Sequence, residues 1–346
     1  MKTHAIIPIF IPHEGCPNDC VFCNQKKITA RQKPVNSQDI RSIIDQYLLT
    51  LKGRGLSTIE VAFFGGSFTG IPIEKQSEYL TIAKEYKDRG DINKIHLSTR
   101  PDYINDEILT NLKLYNVDII ELGVQSFDDE VLKSSNRGHD SSIVYKSCSL
   151  IKEYGFELGI QLMIGLPGDT HEKSLYSAQE TVKIKPSIAR LYPTIIIDDT
   201  ELLEMYKCGK YSSLTQEQAI NTTKEMYKLL SNAHINIIRV GLKSTDIINE
   251  NGAITGDTYH PAFRQLVEAQ IAREILEEKL TALISQCNQS RDSFDNIIFE
   301  SNQKNFSNMI GNKRSNKDYF SKKFPSIKIT YLINSLLADN QYNVIK

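Results

Sequence analysis

The stretch HEGCPNDCVFCNQ, residues 13–25, holds three of the chain's six cysteines. Cys16, Cys20 and Cys23 follow the spacing C-x3-C-x2-C. Thiolates are soft ligands that select zinc, copper(I) or iron–sulfur clusters. A closed structural zinc site takes four protein ligands, usually as pairs of C-x2-C, and no second pair follows downstream. Three thiolates on a four-iron cluster leave one iron without a protein ligand, and that iron can bind a small molecule. A zinc site completed by a distant His or Cys is the alternative. Cys148, Cys208 and Cys287 are isolated and read as small core residues.

Such a loop needs a frame. Strand-like runs recur at 6–11, 59–65, 94–100, 119–125, 156–165 and 188–197, mostly apolar, as strands covered on both faces are. Helical patterns lie between them, at 37–53, 72–89, 105–115, 140–154, 171–184 and 215–233. In the first, Ser37 is the expected N-cap, and Ile40, Ile43, Ile44, Tyr47, Leu48 and Leu51 make one stripe. Six β-then-α units in a row imply a parallel sheet with right-handed crossovers. The pattern itself leaves open whether that sheet closes, stays an arc or is doubly wound.

After residue 240 the pattern changes to a long helix over 261–286. A strand (296–300), a helix, a GNKR turn (311–314), a second helix and a strand (326–332) follow. The expected division is a barrel-forming part at 1–245, a helical extension at 246–290 and a small basic α+β domain at 291–346.

The composition is that of an ordinary globular chain, with 40 % hydrophobic and 24 % charged residues. A net charge of −1 gives no global argument for nucleic acid or membrane. No apolar run reaches the ~20 residues of a bilayer span. The N-terminal apolar run is broken by Pro8 and Pro12, so a cytoplasmic protein with reduced thiols is expected. Charge is concentrated locally. Residues 302–328 carry Lys304, Lys313, Arg314, Lys317, Lys322, Lys323 and Lys328 against the single acid Asp318, a patch suited to phosphates.

Further chemistry gathers at the strand C-termini, where parallel barrels place their active-site residues. FFGGSFTG (63–70) offers Gly65 and Gly66, which permit close backbone approach. HLSTRPD (96–102) offers a hydroxyl, Ser98, and a guanidinium, Arg100. In ELGVQS (121–126), Glu121 and Gln125 lie four apart on one strand face, and a buried glutamate needs a partner. NRGHD (136–140) brings Arg137 and His139, QLMIGLPGDT (161–170) brings Ile164 and Gly165, and RLYP (190–193) brings Arg190 and Tyr192. Tyr259, His260 and Arg264, around the start of the long helix, are candidates to line a substrate site.

The cysteine triplet at the end of a first strand, with Phe22 just before the last cysteine, resembles the radical S-adenosylmethionine (SAM) superfamily. The resemblance implies a partial (βα)6 TIM-like barrel, in agreement with the six units, and a [4Fe–4S] cluster on Cys16, Cys20 and Cys23. It implies that the open iron chelates the amino and carboxylate groups of SAM. Reductive cleavage would then give a 5′-deoxyadenosyl radical that abstracts a hydrogen from substrate, fed by a cytosolic electron donor. On the same resemblance Gly65 and Gly66 run beside the methionyl amino group. Ser98 and Arg100 meet the ribose or carboxylate, Gln125 points into the barrel, and Ile164 and Gly165 meet the adenine.

The motifs FFGGSFTG, STRPD, ELGVQS, NRGH, LPG and RLYPT, in that order over roughly residues 1–245, resemble the radical-SAM domain of the Elongator catalytic subunit. That group modifies the wobble uridine of tRNA. Its acetyltransferase domain and cysteine-rich zinc segment have no counterpart in the remaining residues, so the resemblance supports acetyl-CoA as a co-substrate poorly. The strand–helix–turn–helix–strand order of the tail resembles the core of a KH module, whose G-x-x-G loop clamps nucleic-acid backbone. Here Arg314 stands at the second glycine, and Lys313 and Arg314 become candidate RNA contacts. The expected function is a radical-SAM enzyme acting on RNA, in the first place tRNA. Two rivals remain: a small-molecule radical-SAM enzyme similar to oxygen-independent coproporphyrinogen oxidases, and a non-enzymatic cluster-bearing RNA-binding or regulatory protein.

Overall fold

The computed structural model describes residues 3–11, 20–24, 35–242, 252–290 and 296–346. Strand β1 (His4–Ile11) buries Ile7, Ile9 and Ile11 on one face, at the period of two that a pleated strand imposes. The same parity recurs along the chain. Val61 and Phe63 are buried on β2 (Thr58–Gly65), Ile95 and Leu97 on β3 (Lys94–Thr99), and Ile120 and Leu122 on β4 (Ile119–Gln125). Leu158, Ile160, Leu162 and Ile164 follow on β5 (Glu157–Ile164), then Ala189 and Leu191 on β6 (Ile188–Pro193). The opposite parity carries the polar residues of the site.

Among the described residues, the helices of this part are α1 (Ser37–Leu51), α2 (Ile73–Asp88), α3 (Asp106–Leu114), α4 (Asp129–Ser134), α5 (Ser141–Glu153), α6 (His171–Ile184), α7 (Glu201–Lys207) and α8 (Gln216–Asn232). The short α4 and α7 have too few turns to show a period and were not expected. The N-cap of α1 is Asn36, not Ser37. The Asn36 side chain accepts from the Asp39 amide at 2.9 Å, and the Asp39 carboxylate accepts from the Asn36 amide at 3.2 Å, a reciprocal capping box.

All sheet neighbours are parallel, in the order β1-β2-β3-β4-β5-β6-β8, where β8 is Asn236–Val240. The six expected strands are present, and β8, a five-residue run, adds a seventh. β1 and β8 are the edges of this open, curled sheet, so the architecture is a partial TIM-like barrel. The expected strand over 188–197 divides. It leaves the sheet at Pro193, which has no N–H for the ladder. Ile196–Ile197 (β7) instead pairs antiparallel with Ile254–Thr255 (β9).

The chain divides into two compact units, Met1–Pro261 and Ala262–Lys346. In the second, α9 (Phe263–Ser290) supplies Ala272, Leu276 and Leu280 to a core with Ile297, Phe299, Met309, Phe320 and Tyr342. That helix is therefore a wall of the appended unit. The order is β10 (Asn296–Ser301), α10 (Phe306–Ile310), the GNKR turn, α11 (Ser315–Lys323), β11 (Lys328–Ile333) and β12 (Tyr342–Ile345). β10 is central, parallel to β11 and antiparallel to β12, a closing strand that sequence reading passed over. Among the described residues no helix is long and apolar enough to cross a membrane.

Cys148 is buried in α5, and burial pushes its thiol up to about 12. Cys208, expected in the core, is instead exposed at the end of α7. The side chain of Cys287 lies outside the described residues.

Candidate cluster and cofactor site

Cys16 lies outside the described residues. Cys20 and Cys23 lie on a tight turn closed by the Cys23 amide donating to the Cys20 carbonyl at 2.9 Å. The turn is pinned from several sides. The Val21 amide donates to Ser135 O at 3.2 Å, and Val21 O accepts from the Leu202 amide at 2.8 Å. Val21 is buried with Ile196, Leu202, Leu203 and Tyr211, and Phe22 packs against the same cluster. The Asn24 side chain donates to Asp198 O at 3.3 Å. An aromatic before the last cysteine thus anchors the turn, while Cys23 remains partly exposed.

The Cys20 thiol is buried and flanked by two guanidinium groups. Arg137 Nη1 donates to its Sγ at 3.2 Å, and Arg100 Nη1 lies 3.9 Å from it. Cations around a soft sulfur suit a thiolate that carries the charge of a metal cluster. Arg100 also forms a two-pronged bridge to Asp102, both contacts at 2.9 Å, and donates to the Arg137 carbonyl. One side chain thus serves both a local pair with Asp102 and the surroundings of the Cys20 thiol. His139 is buried beside them. Burial first, then the charge of Arg137, lowers its pKa to about 4 against the opposing pull of Asp102, so the imidazole is neutral at pH 7.

The glycine pair meets the end of β1. Gly65 has φ +109°, and a Cβ there would come 2.7 Å from the Ile11 carbonyl oxygen, so only glycine fits. The Gly66 amide donates to the same carbonyl at 2.8 Å. This closure holds the end of β1, from which the cysteine segment leaves, against the loop after β2. A hydroxyl cluster that sequence reading missed braces the loop. Thr99 Oγ1 is 2.8 Å from Ser67 Oγ and 2.6 Å from Thr69 Oγ1, and Ser67 Oγ accepts from the Arg100 amide at 3.1 Å. Thr99 has the parity opposite to Ser98, which is partly exposed.

Gln125 follows a bulge in β4, where the register with β5 shifts between Gly123 and Gln125. Its φ is +72°, and its side-chain oxygen accepts from Gln161 Nε2 at 3.3 Å. At the end of β5, the Gly165 amide donates to Asp169 Oδ2 at 2.7 Å, and its carbonyl accepts from the Tyr211 hydroxyl at 2.6 Å. Burial raises the Asp169 pKa, against the hydrogen bonds from Ser174 and Gly165. The Ile164 side chain has core parity and is 1 % exposed, so this segment presents backbone.

Below the strand ends runs a polar row, buried apart from the exposed His4 at its start. His4 Nε2 lies 3.1 Å from Glu60 Oε2, and Glu60 Oε1 lies 3.1 Å from His96 Nδ1. His96 Nε2 is 3.7 Å from Glu121 Oε2, which forms an ion pair with Arg190 Nε at 2.8 Å. The Arg190 guanidinium lies over the Phe64 ring at 4.5 Å. Burial would raise the Glu60 pKa, but the bonds and charges of His96 and His4 together outweigh it and the pKa is lowered. The expected partner of Glu121 is therefore Arg190. His96 and Glu60 were legible only through parity, two residues from Ser98 and four from Phe64.

The remaining substrate candidates belong to both compact units. Tyr259 packs with Leu242, Ile254, Ile195 and Ile197, and His260 is partly buried. Arg264 belongs to the second compact unit, where its Nε pairs with Glu268 at 2.7 Å. In the GNKR turn, Lys313 and Arg314 are exposed and both left-handed, with φ of +49° and +68°. Gly311 precedes them with φ +81°, where a Cβ would meet the Asn316 amide nitrogen at 2.6 Å. Lys304 and Lys323 pair with Asp339 and Glu277. Lys313, Arg314, Lys322 and Lys328 have no acidic partner among the described residues.

A buried thiol between two arginines, beside the strand C-termini of an open parallel α/β barrel, is the feature that a cluster-binding reading needs. Residues 10–176 match the Radical SAM superfamily and residues 186–273 match its C-terminal domain. The chain belongs to the radical SAM superfamily and is a radical-SAM enzyme; the family implies SAM and a [4Fe–4S] cluster as cofactors. It is 27 % identical over 255 residues to the tRNA uridine(34) acetyltransferase of Methanocaldococcus jannaschii, covering 62 % of this chain and 47 % of that protein. It is likewise 27 % identical over 271 residues to Elongator complex protein 3 of Bos taurus, covering 65 % and 49 %. The chain spans about half the length of these curated relatives. Among solved structures, the archaeal Elp3 of Methanocaldococcus infernus with residues 1–46 deleted shares the fold. Its TM-score is 0.61 at 22 % identity, covering 79 % of this chain and 64 % of that one.

Proposed function

We propose that this enzyme uses SAM radical chemistry to modify RNA, with tRNA as the substrate. The observation that carries the reading is the likeness, along the barrel, to proteins named for tRNA uridine(34) modification. The exposed cations of the second unit add to it. Cys16, Cys20 and Cys23 would hold a [4Fe–4S] cluster, which with SAM would supply the radical chemistry for hydrogen abstraction. The residues of this chain do the rest. Arg100 and Arg137 bring positive charge to Cys20. Gly65 and Gly66 give the methionyl end of SAM a backbone wall, with Ser98 and Gln125 as polar partners. Gly165, its carbonyl fixed by Tyr211, and the backbone of Ile164 border the adenine. Tyr259, His260 and Arg264 are assigned to the substrate side, and a cytoplasmic donor supplies the electron.

Lys313 and Arg314 are assigned to RNA phosphates. The Lys313→Glu/Arg314→Glu variant is expected to weaken binding of bulk tRNA roughly tenfold. The plot of log K against log salt should flatten by about 2, one for each lost phosphate contact. Filter binding at several salt concentrations measures both. Unchanged affinity and slope would remove RNA from this surface. Nucleoside analysis of tRNA after turnover tests the reaction, and the absence of any new nucleoside would favour a small-molecule substrate.

A further inference from the structure

We infer that Arg137 is a positioning residue that sets the reduction potential of the cluster through Cys20, an inference that rests on the assignment of Cys20 as a cluster ligand. Its Nη1 donates to the Cys20 sulfur at 3.2 Å. Its Nη2 donates to the Gly123 carbonyl at 2.5 Å, at the edge of the β4 bulge. The fork of one guanidinium thus ties the thiol to the strand. The backbone of Arg137 is held as well. Its amide donates to Leu132 O at 3.0 Å, its carbonyl accepts from Arg100, and the neighbouring Asn136 and Gly138 have φ of +52° and +74°. The turn after α4 is therefore shaped to deliver this side chain to a buried sulfur.

The physical consequence concerns the electron. Reduction adds one negative charge to the cluster and its sulfurs, with no protein bond made or broken. A hydrogen-bond donor and a cation at a ligating sulfur stabilise the reduced form more than the oxidised one, which raises the potential. Burial makes the interaction stronger than it would be in water. Arg100 is farther from the sulfur and carries Asp102 on two of its nitrogens. Besides its weaker contribution of charge, it holds the Arg137 backbone. Arg137 then keeps the cluster within reach of a biological one-electron donor.

The test is a redox titration of the reconstituted SAM-free enzyme, followed by electron paramagnetic resonance, with dithionite as reductant. Wild type, Arg137→Gln and Arg137→Lys are compared at equal iron and sulfide content, and SAM binding is measured separately. At a fixed potential the ratio of reduced to oxidised cluster should fall about tenfold in Arg137→Gln, which is 59 mV for one electron. Arg137→Lys keeps the charge but loses the fork, and should fall between the two. Potentials equal to wild type in both variants, with only SAM affinity weakened, would assign Arg137 to the cofactor and overturn the inference. If Arg137→Gln assembles no cluster, a wild-type potential in Arg137→Lys overturns it in the same way. A wild-type protein that assembles no cluster would overturn the Cys20 assignment itself.

Discussion

Cys20→Ala is expected to lower SAM cleavage more than ~100-fold, because loss of partners beyond the ligands alone costs up to about 100-fold at metal sites. The reason is specific to this position. Cys20 is the buried member of the described pair, pinned by the Val21 backbone and facing two arginines. On the proposed assignment of Cys20 as a cluster ligand, removing its sulfur leaves the cluster one ligand short, and it buries two guanidinium groups against a methyl. The measurement is 5′-deoxyadenosine formed with dithionite under anaerobic conditions, alongside iron content. Cleavage at the wild-type rate would show that the cluster does not depend on this thiol. The variant's fold should survive, since the turn is held by backbone bonds and by Val21 and Phe22.

The second large effect falls on stability. Arg190→Met should destabilise the enzyme by about 3–5 kcal/mol, the usual cost of breaking a buried pair from one side. Arg190 forms an ion pair with Glu121, which is 1 % exposed, and its guanidinium covers Phe64. Among the described residues, the variant leaves a carboxylate in the barrel whose remaining ion-pair neighbour is His96, 3.7 Å away. The unfolding midpoint should fall by roughly 10 °C for a chain of this size. Arg190→Met with Glu121→Gln should recover much of the loss, because the lone charge is gone. Thermal unfolding of the single and double variants checks both statements. A single variant as stable as wild type would mean that the row is solvated and not a buried pair.

Mostly apolar runs made six strands of the barrel legible, because strands covered on both faces are apolar along most of their length. The same rule hid other features. β8 is a short run after a helix, and β12 is four residues long, so neither shows a period. Pro193 ends β6 where the apolar run continues, so the run looked like one strand. At the site, the cysteine spacing and the glycine pair could be read directly, since few residue types can replace them. The contact of Arg137 with Cys20 could not. It joins residues 117 apart, and it depends on a bulge and a turn that only the folded chain reveals. The row from His4 to Arg190 is of the same kind, assembled from five strands, each member lying two residues beyond the register partner of the one before. On the second unit, the sequence count of seven cations overstates the free charge, because Asp339 and Glu277 pair with two of them.

The most direct test of the whole account is the amount of 5′-deoxyadenosine formed by the reconstituted enzyme with dithionite and SAM, with and without bulk tRNA. A radical-SAM enzyme for tRNA predicts cleavage that rises several-fold when tRNA is added, through differential stabilisation of the reacting state by bound substrate. Cleavage of equal rate with and without tRNA would contradict the RNA substrate. No 5′-deoxyadenosine from an enzyme with a verified four-iron cluster would contradict the radical chemistry itself.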